Sequence, residues 1–254
     1  MGKIKETATV ISQEMLTEGI YSMWIKTSIA KEAKAGQFIN VYTKNDAKLL
    51  PRPISICEVS DDKSSLRIVY RVAGCGTKEF SAYNAGDDIT VLGPLGNGFP
   101  KGEEKAILIG GGIGIPPMLQ LAKELDCEKT IVVGYRNADM FLDKELEKYG
   151  KVVIATEDGS VGTKGNVIDA IKAQGVEGTV IYSCGPIPML RGIKAYAKEA
   201  GITAYISMEE KMACGVGACL GCVCKSTEKD DHSKLNNKRV CADGPVFNAE
   251  DIEL

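Results

Sequence analysis

The chain has 254 residues, with 31 Lys+Arg against 34 Asp+Glu and a formal charge of −3. At 44% hydrophobic and 26% charged, it can bury the core of one large domain or two ordinary ones, which excludes a disordered tail. The slightly acidic balance and the lack of a long basic run argue against a nucleic-acid backbone as partner.

Residues 1 to about 100 read as short β-branched or alternating strands at hairpin-like spacing: ETATVIS, IYSMWIKT, GQFINVYT, RPISICEV, LRIVYRV and DDITVLG. Six such strands without a long helical period predict a small antiparallel barrel. One helix is expected over TKEFSAYNAG (77 to 86). From about 103 the texture changes to apolar strands (KAILIG, TIVVGYRN, KVVIAT, GTVIYSCG, ITAYISM) alternating with helical stretches (IPPMLQLAKELD, DMFLDKELEKYG, VIDAIKAQG, PMLRGIKAYAKEAG). That alternation predicts a doubly wound parallel sheet with helices on both faces. The expected division is a barrel over 1–101, an α/β domain over 102–206 and a small module over 207–254. The last piece is too short for a large core of its own, and a metal centre would compensate.

A single histidine, His232, rules out two-His metal sites within one chain. It lies in KSTEKDDHSKLNNKR, which reads as a solvated loop rather than a place for catalysis. Cysteines are instead plentiful: nine in all, five of them (Cys214, Cys219, Cys222, Cys224, Cys241) in the last 41 residues. The odd total, and a start MGKIKETATV without an apolar signal core, argue against a disulfide framework. No stretch reaches the ~18 apolar residues of a membrane span. A cytoplasmic chain whose clustered thiols bind metal is therefore expected.

The cysteine spacing is C-x4-C-x2-C from Cys214, with Cys241 further on. Zinc knuckles use C-x2-C pairs, whereas the x4-x2 spacing is that of plant-type [2Fe–2S] ligation. Gly215, Gly217 and Gly221 between the thiols let the backbone wrap closely and aim N–H groups at sulfur. Cys224 is the spare thiol, expected to point away. A zinc clip that merely holds the C-terminus together is the competing reading.

GGGIGIPPM (110 to 118), with Gly111, Gly112 and Gly114, follows a strand and opens a helix, as a pyrophosphate-binding turn does. The match to G-x-G-x-x-G is imperfect, because Pro117 takes the third glycine position. The second strand ends in GYRN rather than an acid for the ribose, and Arg136 suits a 2′-phosphate, so NAD and NADP both stay open. In the barrel, Arg52 of RPIS offers a planar donor fork and Ser55 a hydroxyl, while Thr77 is placed like an N-cap after a glycine turn; both suit phosphate.

RPIS, VYR (69 to 71), Gly76-Thr77, GGGIGIPPM, YSCGPIPML (182 to 190), EEKMACGVGACLGCVC and VCADGPVF (240 to 247) together resemble the electron-transfer subunits of class B, NAD-dependent dihydroorotate dehydrogenase, within the ferredoxin-NADP reductase superfamily. The resemblance spans nearly the whole chain. It implies FAD held by Arg52, Pro53, Ile54, Ser55, Val69, Tyr70, Arg71, Gly76 and Thr77. It implies NAD at the GGGIG loop and at Cys184, Gly185 and Pro186, with Cys184 in the nicotinamide pocket. It implies a [2Fe–2S] cluster on Cys214, Cys219, Cys222 and Cys241. Cys57, Cys75 and Cys127 match no ligand position. The implied activity is NAD(H):FAD oxidoreduction in pyrimidine (UMP) biosynthesis. Electrons would come from the FMN of a catalytic partner subunit, in a two-plus-two heterotetramer, with no dihydroorotate site in this chain. The small subunit of an NADH-dependent ferredoxin:NADP oxidoreductase shares the same three-part layout and is the nearest alternative.

Overall fold

The computed structural model describes residues 2–45, 47–102, 105–229 and 234–254; His232 lies outside them. The first hundred residues form the expected barrel. β1 (Ile4–Thr17), β2 (Ile20–Lys26), β3 (Phe38–Tyr42), β4 (Arg52–Val59), β5 (Ser65–Arg71) and β6 (Asp88–Leu95) close in the order β1-β2-β5-β4-β3-β6, with every pairing antiparallel. Alternation turns one side of each strand inward, so Met23, Ile25, Ile39, Ile56, Leu66 and Ile68 are fully buried in one core. The helix after β5, α1 (Cys75–Phe80), is shorter than the sequence pattern suggests. Its N-cap is Gly74, not Thr77. Thr77 sits one turn in, and its Oγ1 accepts from the N–H groups of Ala73 (2.9 Å) and Gly74 (3.2 Å).

The second unit is a sheet ordered β10-β9-β8-β7-β11-β12-β15. The strands are β7 (Ala106–Gly111), β8 (Lys129–Tyr135), β9 (Lys151–Thr156), β10 (Thr163–Lys164), β11 (Val180–Cys184) and β12 (Thr203–Ser207), all parallel, plus β15 (Val246–Asn248), antiparallel to β12. β7 is central and the chain winds outward from it both ways. Ala106 and Leu108 face α2 (Pro116–Glu124), while Ile107 and Ile109 face α4 (Val167–Ala173) and α5 (Ile187–Ala200), which gives the two layers expected of a doubly wound fold. The stretch read as a helix over DMFLDKELEKYG is helical only for one turn, α3 (Asp143–Leu146). Phe141 and Leu142 are buried anchors, Leu142 has φ +66°, and Tyr135 OH donates to the Phe141 carbonyl at 2.8 Å; tertiary packing overrides the helical period.

The residues after 207 wrap around the thiols and include a small hairpin, β13 (Val223–Lys225) with β14 (Asn237–Arg239). They do not stand apart. Their last strand, β15, extends the parallel sheet, and Cys222, Val240 and Cys241 share one apolar core with Phe38 and Leu95 of the barrel. No helix among the described residues is long and apolar enough to cross a membrane.

Candidate functional site

A cavity of about 420 Å³ opens where the three parts of the chain meet. The barrel side supplies Arg52, Pro53, Ile54, Ser55, Val69, Tyr70, Arg71 and Thr77. The sheet supplies Ile113 and Ser207, and the segment leading to Cys214 supplies Glu209, Glu210 and Met212. The sequence motifs RPIS and VYR thus converge on one wall, because Arg52–Ser55 and Val69–Arg71 lie on the adjacent strands β4 and β5. Tyr70 is 3% exposed and its hydroxyl donates to Gln13 at 2.7 Å inside the barrel, so it offers the cavity its backbone rather than its phenol. Gly76 is needed for contact: a Cβ there would stand 2.0 Å from Arg52 Nε, so the guanidinium lies directly over the start of α1. That cradle of a planar cation over a glycine turn fits a phosphate-bearing cofactor.

The glycine loop and CGP come together as the sequence suggests. β7 and β11 are neighbours, with Gly110 opposite Cys184, and the two turns leave the carboxyl ends of these strands side by side. A Cβ on Gly114 would lie 2.3 Å from the Cys184 carbonyl oxygen, and one on Gly111 or Gly185 would run into Met189 at 2.5 and 2.4 Å. The glycines therefore permit two backbones to touch, and Gly112 also takes φ +52°. Beyond β8, Glu157 N–H donates to the Tyr135 carbonyl (3.1 Å) and Asp158 N–H to that of Arg136 (3.3 Å). The acids missing from the end of the second strand follow the third instead, with their backbone held to Tyr135 and Arg136.

Cys184 is 1% exposed and does not itself line the cavity; Ser207 and Glu209, its neighbours, do. Burial, reinforced by the nearby Glu209 carboxylate, pushes the Cys184 thiol far up, so it is neutral at physiological pH. Glu209 is raised by desolvation, against the pull of Arg71. Sequence reasoning missed Glu209 and Arg71's second role. Arg71 Nη2 would be 3.7 Å from a Cβ on Gly112, so it bridges the barrel wall and the glycine loop. Only the packing of β5 against the glycine turn reveals that proximity.

The four module thiols fall into two close pairs, Cys214 with Cys219 and Cys222 with Cys241. Among the described residues, no group of three or more His, Cys, Asp or Glu gathers about one point. Two pairs suit a binuclear centre in which each iron takes two protein sulfurs. Backbone N–H groups already address every sulfur: Val216 to Cys214 (3.4 Å), Gly221 to Cys219 (3.4 Å), Cys241 to Cys222 (3.4 Å) and Gly217 to Cys241 (3.2 Å). Burial raises the Cys214 thiol, but N–H donors led by Val216 outweigh it and hold it down to about 6. Burial and the neighbouring Cys222 push Cys241 up to about 12. Cys224 turns away, donates to the Lys238 carbonyl at 3.6 Å, and is raised by burial to about 11.

Two family models match. Residues 209–253 match the iron-sulfur cluster binding domain of dihydroorotate dehydrogenase B, and residues 108–195 match the oxidoreductase NAD-binding domain. The dihydroorotate dehydrogenase B (NAD(+)) electron transfer subunit of Fusobacterium nucleatum is 42% identical, with 98% of each chain covered. That of Listeria monocytogenes is 44% identical over 96% of this chain and 97% of its own.

The chain belongs to the family of electron transfer subunits of dihydroorotate dehydrogenase B (NAD(+)).

Like its family, it is an oxidoreductase component with an iron–sulfur cluster binding domain and an NAD-binding domain. The structure of an NADH-dependent reduced ferredoxin-NADP oxidoreductase superposes with a TM-score of 0.87 at 28% identity, covering 97% of this chain and 89% of that one. A ferredoxin reductase of carbazole 1,9a-dioxygenase shares the fold at 20% identity, TM-score 0.68, with 80% of this chain and 67% of that one covered. The dihydroorotate dehydrogenase B subunits are the more similar in sequence, which decides against the ferredoxin:NADP alternative, and the iron–sulfur match decides against the zinc clip.

Proposed function

We propose that the cavity between barrel and sheet holds FAD, that Cys214, Cys219, Cys222 and Cys241 hold a [2Fe–2S] cluster, and that NAD(H) docks on Gly111, Gly112, Gly114, Cys184, Gly185 and Pro186. The carrying observation is that one cavity is lined at once by the RPIS strand, by Ile113 of the glycine loop and by the Glu209–Met212 segment that runs into Cys214. A nicotinamide exchanges two electrons as hydride and a [2Fe–2S] centre passes one, and a flavin between them supplies the conversion. This chain's residues bind and orient. Arg52 and Thr77 address the flavin phosphates over Gly76, and the two glycine turns admit the dinucleotide. Ser55 and Glu209 line the cavity in which the flavin would meet the nicotinamide, and Cys184 lies buried beside Glu209 as a neutral thiol. No group here needs to act on dihydroorotate. That oxidation belongs to a catalytic partner with FMN, in a cytoplasmic two-plus-two heterotetramer. The relatives' name, dihydroorotate dehydrogenase B (NAD(+)), supports NAD over NADP.

The purified complex tests this reading. Flavin absorption bands with an iron–sulfur shoulder, bleached by NADH, are expected, together with a co-purifying FMN protein that oxidises dihydroorotate. A colourless chain with stoichiometric zinc would refute it.

A further inference from the structure

β3 turns Phe38, Asn40 and Tyr42 away from the barrel interior, and this outer face is the floor on which the thiol-bearing loop rests. The floor is apolar around Phe38, Leu92 and Leu95, which share a core with Cys222 and Cys241. Asn40 interrupts it. Its side chain is 0% exposed, its Nδ2 donates to the Cys214 carbonyl at 3.3 Å, and its Oδ1 has no hydrogen-bond partner. Burying an amide with one long bond and one orphaned acceptor costs stability that an apolar side chain of the same shape would not. Packing therefore does not account for an asparagine at this position.

Its connections do. Along the barrel, Asn40 is the ladder partner of Pro53, the second residue of RPIS, on the flavin wall. Across the seam, it meets the peptide that joins Cys214 to Gly215. The fit is close: Gly215 has φ +69°, and a Cβ on it would stand 2.3 Å from Asn40 Nδ2. A peptide is planar, with its C=O and N–H pointing opposite ways. Holding the Cys214 carbonyl against the barrel turns the Gly215 N–H away from the barrel and into the cysteine loop.

We propose that Asn40 is a positioning residue for electron transfer, which fixes the Cys214–Gly215 peptide against the flavin-bearing strand and thereby sets the dipole beside the first cluster sulfur and the gap between flavin and cluster. Residues that orient a metal ligand from behind tune the centre as well as hold it. The proposal rests on the cofactor reading above, and it adds one residue that joins the two sites through a ladder pair and a single hydrogen bond.

The test uses the complex co-expressed with its catalytic partner. Asn40→Leu keeps the volume and removes the donor. Iron and FAD content, and the rate at which NADH bleaches the flavin, stay at the parent level. The g values of the reduced cluster in electron paramagnetic resonance shift, and electron passage from NADH-reduced flavin to the cluster slows by about tenfold. Parent g values and parent transfer rate in this variant overturn the proposal. Should Asn40→Leu lose iron, Asn40→Ser, which adds no apolar bulk, takes its place under the same criteria. Loss of iron from both variants with FAD retained also overturns it, since Asn40 would then only be needed to fold the loop. A parent complex without flavin or cluster signals would refute the cofactor reading instead.

Discussion

Arg67 in β5 grips Glu145 in α3 with two hydrogen bonds, Nη1 to Oε2 at 2.6 Å and Nη2 to Oε1 at 3.1 Å. The pair joins the barrel to the parallel sheet, and Arg67 is also held by Ser22 at 2.8 Å and lies 3.6 Å from Glu58. Arg67's side chain is 5% exposed and Glu145's 35%, so the clasp is buried at the barrel end and half open at the other. Lys123 on α2 reaches back to Glu58 and Asp61, and Gln120 accepts from the Val59 N–H at 2.7 Å. Barrel and sheet are thus joined by polar contacts between residues that do not line the cavity.

Arg67→Met should therefore destabilise the chain by about 2 kcal/mol, below the ~3–5 kcal/mol of a fully buried broken pair because Glu145 stays solvated. Thermal unfolding should shift down by about 4–8 °C. Glu145→Gln, which keeps one of the two acceptor oxygens, should cost less than that. Equal losses in the two variants would show that charge, not geometry, holds the clasp.

Cys219→Ser should abolish iron binding while FAD is retained and NADH still bleaches it, because the flavin wall and the glycine turns contain none of the four thiols. Cys224→Ser should leave iron content unchanged, since its Sγ is committed to the Lys238 carbonyl. Iron analysis and visible spectra check both, and loss of iron in Cys224→Ser would mean a different ligand set.

Gly114→Ala should separate the glycine loop from Cys184, because the new Cβ would meet the Cys184 carbonyl at 2.3 Å and backbone cannot swing aside as a flexible side chain does. Flavin reduction by NADH should slow by up to about 100-fold, the scale of a misplacement near 1 Å. Iron and FAD content should hold at the parent level, as stopped-flow absorbance and cofactor analysis would report.

Glu6 gives a pH signature. Burial raises its carboxyl, but hydrogen bonds from Thr27 and Ser28, the Ser28 ones at 2.7 Å, outweigh it and hold it below its ordinary 4.5. A depressed folded value means the contribution is present above pH 4.5 and disappears as pH falls through the lower folded value. Glu6→Gln should lower the melting temperature at pH 7, and the gap to the parent should close in more acidic buffer. A gap independent of pH would assign the effect to packing.

Much of this molecule is written locally. The six barrel strands follow from two-residue alternation, which needs only one buried face. The cysteine spacing and the glycines between the thiols already specify a loop whose N–H groups reach sulfur, and the single histidine already turns the chemistry towards bound cofactors. The helix over DMFLDKELEKYG fails because burial of Phe141 and Leu142 competes with a local period, and a period cannot weigh that competition. What the tertiary structure alone decided is which distant segments touch. It placed Glu157 and Asp158 next to Arg136, Glu209 opposite Arg71, and Asn40 beneath Cys214. The sequence separations are up to 174 residues, and no local pattern encodes them, because closing so long a loop depends on the packing of whole sheets rather than on the residues that finally meet.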